Sequence, residues 1–125
     1  MTVKGVVLDG RGAVLLARND RREWELPGGR PEAGESLDIA LAREIAEETG
    51  LDVAVGALIA AWRFEVVPGR WVRVIAYGCT PRDARAPRVS AEHDAVRFVP
   101  LAALDGLRLP AGYRAAIDRR VAAVN

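Results

Sequence analysis

With 125 residues, the chain is sized for one domain around one hydrophobic core and leaves too little length for a second. Half of the residues are hydrophobic and 28% are charged, as in an ordinary globular domain, and no apolar run is long enough to cross a bilayer. A formal charge of +1 gives no general case for a nucleic-acid or membrane partner, although all but one of the 18 basic residues are arginine, the side chain suited to forked phosphate contacts.

Residues 3 to 8, VKGVVL, read as a strand, and Asp9-Gly10-Arg11-Gly12 reads as a turn into a second strand at 13 to 18, so the chain is expected to open with a hairpin. After a charged loop, Trp24-Glu25-Leu26 makes a short strand that Pro27-Gly28-Gly29 interrupts. A helix follows from an N-cap at Ser36 to about Thr49, with Gly50 placed to end it in a left-handed conformation. Residues 52 to 67 and 71 to 79 form a long hairpin about Pro68-Gly69. The Pro-, Arg- and Asp-rich stretch from Thr80 to Asp94 is a loop near the site, 95 to 99 a last strand, 101 to 104 a helical turn, and Tyr113 to Val124 an amphipathic terminal helix. Mixed strands with two substantial helices predict an α/β sandwich. Cys79 lies in an apolar run with no partner for an internal disulfide, so we expect a buried, inert thiol, no signal peptide, and a reducing cytoplasm as the compartment.

The helix is the unusual element. Glu44, Glu47 and Glu48, at i, i+3 and i+4, share a stripe roughly 100° wide. Toward the N-terminus that stripe meets Ala40, Leu41 and Leu37, while the opposite side carries Ile39, Ala42, Ile45 and Ala46, which predicts cover on more than one side. Like charges at this spacing repel, and the helix C-terminus disfavours anions by about 0.3–1 kcal/mol each. A solvated acidic face is the ordinary explanation of such a cluster. A cluster of oxygen ligands continuous with a buried stripe instead suits Mg²⁺ or Mn²⁺, which neutralises the repulsion and keeps waters for a phosphate substrate.

From Gly29 through Glu35, Arg43, Glu44, Ile45, Glu47, Glu48 and Gly50 to Leu51, the stretch resembles the Nudix box at every defining position, without a gap. The lead-in Trp24-Glu25-Leu26-Pro27-Gly28 and the order of strands extend a weaker resemblance over most of the chain. The resemblance implies a single domain over residues 1 to 125, a Nudix-type α/β/α sandwich with a mixed sheet and the box helix packed on one face. It also implies hydrolysis of a diphosphate linkage in a nucleoside diphosphate derivative. Glu47 and Glu48 would be the principal metal ligands, Glu44 a ligand or the general base, and the Gly28 carbonyl a further ligand. Arg43 and Glu35 would aim those carboxylates through a guanidinium fork.

Many relatives place one more carboxylate in the loop before the final strand. This chain offers Glu92, with Asp94 as substitute, and has Ala95 where a second acid often stands. Glu92 is therefore a candidate base that swings onto the metal. For the substrate, Arg63 and Arg73 on neighbouring strands are the better phosphate-contacting pair, with Arg18 a further candidate, and Trp24 a candidate for stacking a base. A solvated sheet face explains the arginines equally well, and core packing explains the tryptophan. His93, the sole histidine, is expected to make a loop hydrogen bond.

The preferred reading is a Mg²⁺- or Mn²⁺-dependent pyrophosphohydrolase whose small-molecule substrate is a nucleotide, with a non-standard nucleoside triphosphate as one substrate class. Hydrolysis of ADP-ribose or a nucleotide sugar is the alternative, and a nucleotide-sensing module without turnover is a second. A homodimer stays open beside a monomer.

Overall fold

The structure is a computed structural model that describes residues 1–124. Its elements in chain order are β1 (Thr2–Val7), β2 (Ala13–Arg18), β3 (Trp24–Glu25), β4 (Gly28–Gly29), α1 (Leu37–Thr49), β5 (Val53–Val67), β6 (Arg70–Pro81), β7 (Ala95–Pro100), a 3₁₀ helix (Leu101–Gly106) and α2 (Ala111–Val124). Two sheets form, one ordered β4-β1-β6-β5 and the other β3-β2-β7. The first is mixed: β1 runs parallel to β6, and its other pairs are antiparallel.

The expected opening hairpin does not form. A single bridge, Leu8 to Val14, is the pairing where β1 passes into β2, and the two strands then belong to different sheets. Both strands are apolar and buried along nearly their whole length. Side chains of a strand alternate between faces, so each strand feeds two cores at once. Val3, Val7, Leu15 and Ala17 pack with Leu41 and Ile45 of α1. Val6, Val14 and Leu16 pack with Ala116 and Ile117 of α2. One helix thus covers each side, which is the expected sandwich.

Helix α1 has both of its signalled ends: Ser36 is extended at the N-cap, and Gly50 closes the C-terminus at φ 74°, its N–H bonding the Ala46 carbonyl at 2.9 Å. Its cover is one-sided, however. Ala40, Leu41, Ile45, Glu48 and Thr49 are buried, whereas Ile39 is 61% exposed and Ala46 is exposed. The buried side sits hard against β1 at Gly5, where an added Cβ would lie 2.9 Å from Ile45 Cδ1 and 3.1 Å from Cys79 Sγ. That close approach brings the last turns of α1 down onto β4 and the start of β1.

Candidate functional site

The three glutamates of α1 occupy three environments. Glu48 is 5% exposed, and the Gly28 N–H points at its Oε2 from 3.5 Å. Burial pushes its carboxyl up to about 7; repulsion from Glu44 adds to this, and the charges of Lys4 and His93 oppose it. Glu44 is partly covered and lies against Gly29, where an added Cβ would fall 2.5 Å from Cδ. Glu47 is largely exposed.

Both glycines of β4 are therefore fixed by space. Gly28 has φ 142° and its missing side chain would run into the Val3 carbonyl, while Gly29 leaves the volume that the Glu44 carboxylate fills. The result is a floor of backbone facing two carboxylates.

Arg43 stands beside this floor. Its Nε donates to Glu35 Oε2 at 2.7 Å and its Nη2 to Glu35 Oε1 at 2.9 Å, while Nη1 reaches Glu44 and Glu47, each at 3.2 Å. Hydrogen bonds from Arg43, joined by the Glu32 N–H, hold the Glu35 carboxyl down at about 2. A planar fork anchored on one carboxylate thus reaches across to two others and restrains their rotamers.

Among the described residues, no three of His, Cys, Asp and Glu are already gathered into a metal cage. The donor set nevertheless fits Mg²⁺ or Mn²⁺. Glu44 and Glu48 carry hard oxygen atoms, pack against backbone with no side chain of its own, and are followed by the accessible Glu47.

The remaining sequence candidates divide. Arg63 and Arg73 are directly paired across β5 and β6 and exposed, at positions that alternate onto the α1 side of the sheet with Ile75 and Tyr77. Arg63 lies 4.9 Å from the Trp71 ring centroid. Trp24 corrects the expectation of a stacking platform: it is buried in the α2-side core, with the Arg97 and Arg18 guanidinium carbons 4.8 and 5.7 Å from its ring centroid. Arg18 is engaged at one nitrogen, its Nε donating to Asp94 Oδ1 at 2.7 Å. Glu92 is exposed, with its N–H on Ser90 Oγ at 3.3 Å.

Sequence reasoning missed a buried polar group beside Glu48. His93 has its side chain 6% exposed and Nε2 at 2.9 Å from Glu25 Oε1. That hydrogen bond raises the His93 pKa against the effect of burial. Burial raises the Glu25 carboxyl, but the His93 bond and the charge of Lys4 outweigh it, and the net shift is downward. Lys4 itself is 7% exposed. The one signal available was scarcity: this is the chain's single lysine and its single histidine.

A cavity of about 630 Å³ lies elsewhere, between the Asp9–Arg11 turn, the Asp83–Pro87 segment, Phe98 and Arg120. It sits beyond the C-terminal end of β1, whereas the carboxylate floor lies beside its beginning. No helix is long and apolar enough to cross a membrane among the described residues.

Comparison with known proteins places this geometry. The family model described as NUDIX domain matches residues 1–121. A MutT-like protein of Streptomyces ambofaciens is 34% identical over 100 residues, 79% of this chain and 62% of that protein. A putative 8-oxo-dGTP diphosphatase 2 of Mycobacterium tuberculosis is 48% identical over 59 residues, 43% of this chain and 41% of that protein. This chain thus spans less than two thirds of the length of these curated relatives. Among solved structures, the MutT protein from Methanosarcina mazei Go1 superposes with a TM-score of 0.80 at 28% identity, covering 99% of this chain and 94% of that one.

Proposed function

The chain belongs to the NUDIX family, and from that premise we propose that it is a Mg²⁺- or Mn²⁺-dependent pyrophosphohydrolase acting on a nucleotide, with a non-standard nucleoside triphosphate as its substrate class. The observation that supports the reaction type is the backbone floor at Gly28–Gly29 facing Glu44 and Glu48, with the Arg43–Glu35 fork beside it. Glu44, Glu47, Glu48 and the Gly28 carbonyl would hold the metal. Bound there, the ion would offset charge on the phosphate oxygens and lower the pKa of a water.

The chain's own residues have separate tasks around that ion. Glu48 binds through its ionised form, so a carboxyl held near 7 makes metal uptake compete with a proton and favours mildly alkaline pH. Arg43 restrains Glu44 and Glu47 through Nη1 while Glu35 anchors its Nε and Nη2. Glu44 holds metal or takes the proton of the attacking water, and Glu92, exposed on its loop, is the second group available for that proton.

The substrate class draws support from the Mycobacterium tuberculosis relative, a putative 8-oxo-dGTP diphosphatase 2. The test is phosphate and pyrophosphate release from a panel of ordinary and oxidised nucleoside triphosphates and ADP-ribose, with Mg²⁺ and with excess EDTA. Metal-dependent turnover strongest on a modified triphosphate is expected. Full turnover in EDTA would overturn the metal role, and preference for ADP-ribose would overturn the substrate class. Binding of nucleotides without any turnover would overturn hydrolysis altogether.

A further inference from the structure

Lys4 is set apart twice. The chain uses arginine at every other basic position, and its single lysine is buried, at 7% exposure, on a central strand. Its register partner is Gly28, at the floor of the carboxylate site. Alternation along β1 turns it to the α2 side, where its Nζ lies 5.9 Å from the ring centroid of Tyr113. Tyr113 in turn meets Phe64 and Trp62 edge-on, at 5.5 and 5.9 Å between centroids. The ammonium therefore stands where the anionic end of the site passes into an aromatic cluster.

It is also unpaired. Glu25, Glu48 and His93 all feel its charge, yet among the described residues no carboxylate lies within 4.0 Å of Nζ. Glu25 already has His93 at 2.9 Å. Two polar side-chain atoms are enclosed without a partner, His93 Nδ1 and Arg120 Nε. Lys4 Nζ is not one of them, so its tip keeps some contact with solvent although the residue is only 7% exposed. A lysine present only to neutralise Glu25 or Glu48 gains most by touching them, because an unpaired buried cation is costly. A compact ammonium with three free donors suits a phosphate oxygen that arrives from solution.

We propose that Lys4 is a substrate-contacting residue whose ammonium binds a non-bridging oxygen of the substrate's phosphate chain from the side opposite α1. The proposal rests on the hydrolase reading for the identity of the substrate. It adds a protein cation facing the metal-held side of the phosphates.

The probe is inorganic pyrophosphate in saturating Mg²⁺, followed by isothermal titration on the parent and on Lys4→Met, which keeps the stem and removes the charge. Dissociation is expected to weaken about 10- to 100-fold, the scale of a hydrogen bond to a charged group, with a shallower dependence on salt. KM for the nucleotide substrate should rise by a similar factor while kcat changes less. A charge with a merely structural role would lower the ligand-free melting temperature and leave pyrophosphate affinity within about twofold, and that result would overturn the proposal. A second measurement needs no variant: Lys4 is the single lysine, so its acylation by an amine-reactive reagent can be followed by peptide fragmentation, which separates it from acylation of the N-terminal amine. Pyrophosphate with Mg²⁺ should slow it. Labelling that is unaffected by the anion, or that never occurs, would equally overturn the contact. A parent that binds pyrophosphate through Lys4 but hydrolyses no nucleotide would sink the hydrolase reading alone, whereas full activity with unchanged affinity in Lys4→Met would sink Lys4 alone.

Discussion

In the last turns of α1 the acids differ in burial although they share one stripe, from Glu48 in the interior through Glu44 to the exposed Glu47. In the segment from Ser90 to Asp94 the order is inverted: Glu92 and Asp94 are exposed, and the histidine between them is the one whose side chain is enclosed. The helix positions its carboxylates by backbone geometry, and depth raises the proton affinity of Glu48. The loop owes its position to two side-chain bonds, His93 to Glu25 and Arg18 to Asp94, so its acids are anchored nearby but stay solvated. Depth distinguishes the acids of the first region, and side-chain anchoring holds those of the second; the Arg18 bond that anchors Asp94 also holds its carboxyl below the usual range.

The hardest test of that contrast is Glu48→Gln. Turnover at saturating Mg²⁺ should fall about 10³-fold or more, the scale on which loss of a charge-stabilising element acts. A loss below tenfold would show that depth in α1 confers no special role. The same variant reports on proton affinity in ligand-free protein kept in EDTA. Burial raises the Glu48 carboxyl from 4.5 to about 7, so the folded chain holds that proton more tightly than the unfolded one. The resulting stability is complete below about 4.5 and is lost as pH rises through about 7, amounting to at most about 3 kcal/mol. Glu48→Gln should flatten that decline and melt no lower than the parent at pH 8; a parallel decline in both proteins would assign it to other groups.

For the loop, Glu92→Gln should lower turnover about 10²-fold, within the range that general acid–base groups supply. Near-parent rates would leave the chemistry to α1 alone. Asp94→Asn, which keeps an oxygen for Arg18, should change turnover less than about threefold. If it instead matches Glu92→Gln, the loop's anchoring and its chemistry are not separate after all.

What the sequence revealed was what spacing encodes. The stripe of Glu44, Glu47 and Glu48 follows from helical period, and Gly50 from the need for a left-handed residue at the helix end. The strands appeared near their expected bounds for the same reason. Spacing says nothing of which strand pairs with which: β1 and β2 are buried on both faces, and the Asp9–Gly12 turn is compatible with a hairpin as well as with a step between sheets. Nor does it say which side of a helix stays wet, as the exposed Ile39 shows. Trp24 and Arg18 looked free because their partners, Arg97 and Asp94, lie more than seventy residues away. His93 was rightly given a hydrogen bond, but its partner Glu25 lies 68 residues away, and so the polar group around Lys4 stayed hidden.

The step of the chain from one sheet to the other has a kinetic consequence. Because β1 declines its sequence neighbour and joins β6, residue 2 must find residue 74 before the mixed sheet exists. Closing so long a loop is entropically expensive, whereas α1 and the β5–β6 hairpin are made of local contacts and form without it. Gly28 has no strand partner but β1, so the floor under the carboxylates is assembled when β1 docks, after the helix that bears them. In pulsed hydrogen exchange the Gly5 amide, which bonds the Pro27 carbonyl at 2.9 Å, should gain protection later than the β5–β6 amides, and simultaneous protection would show that docking comes first. Nascent chains thus carry a run of acids in place before the surface that gives those acids a purpose.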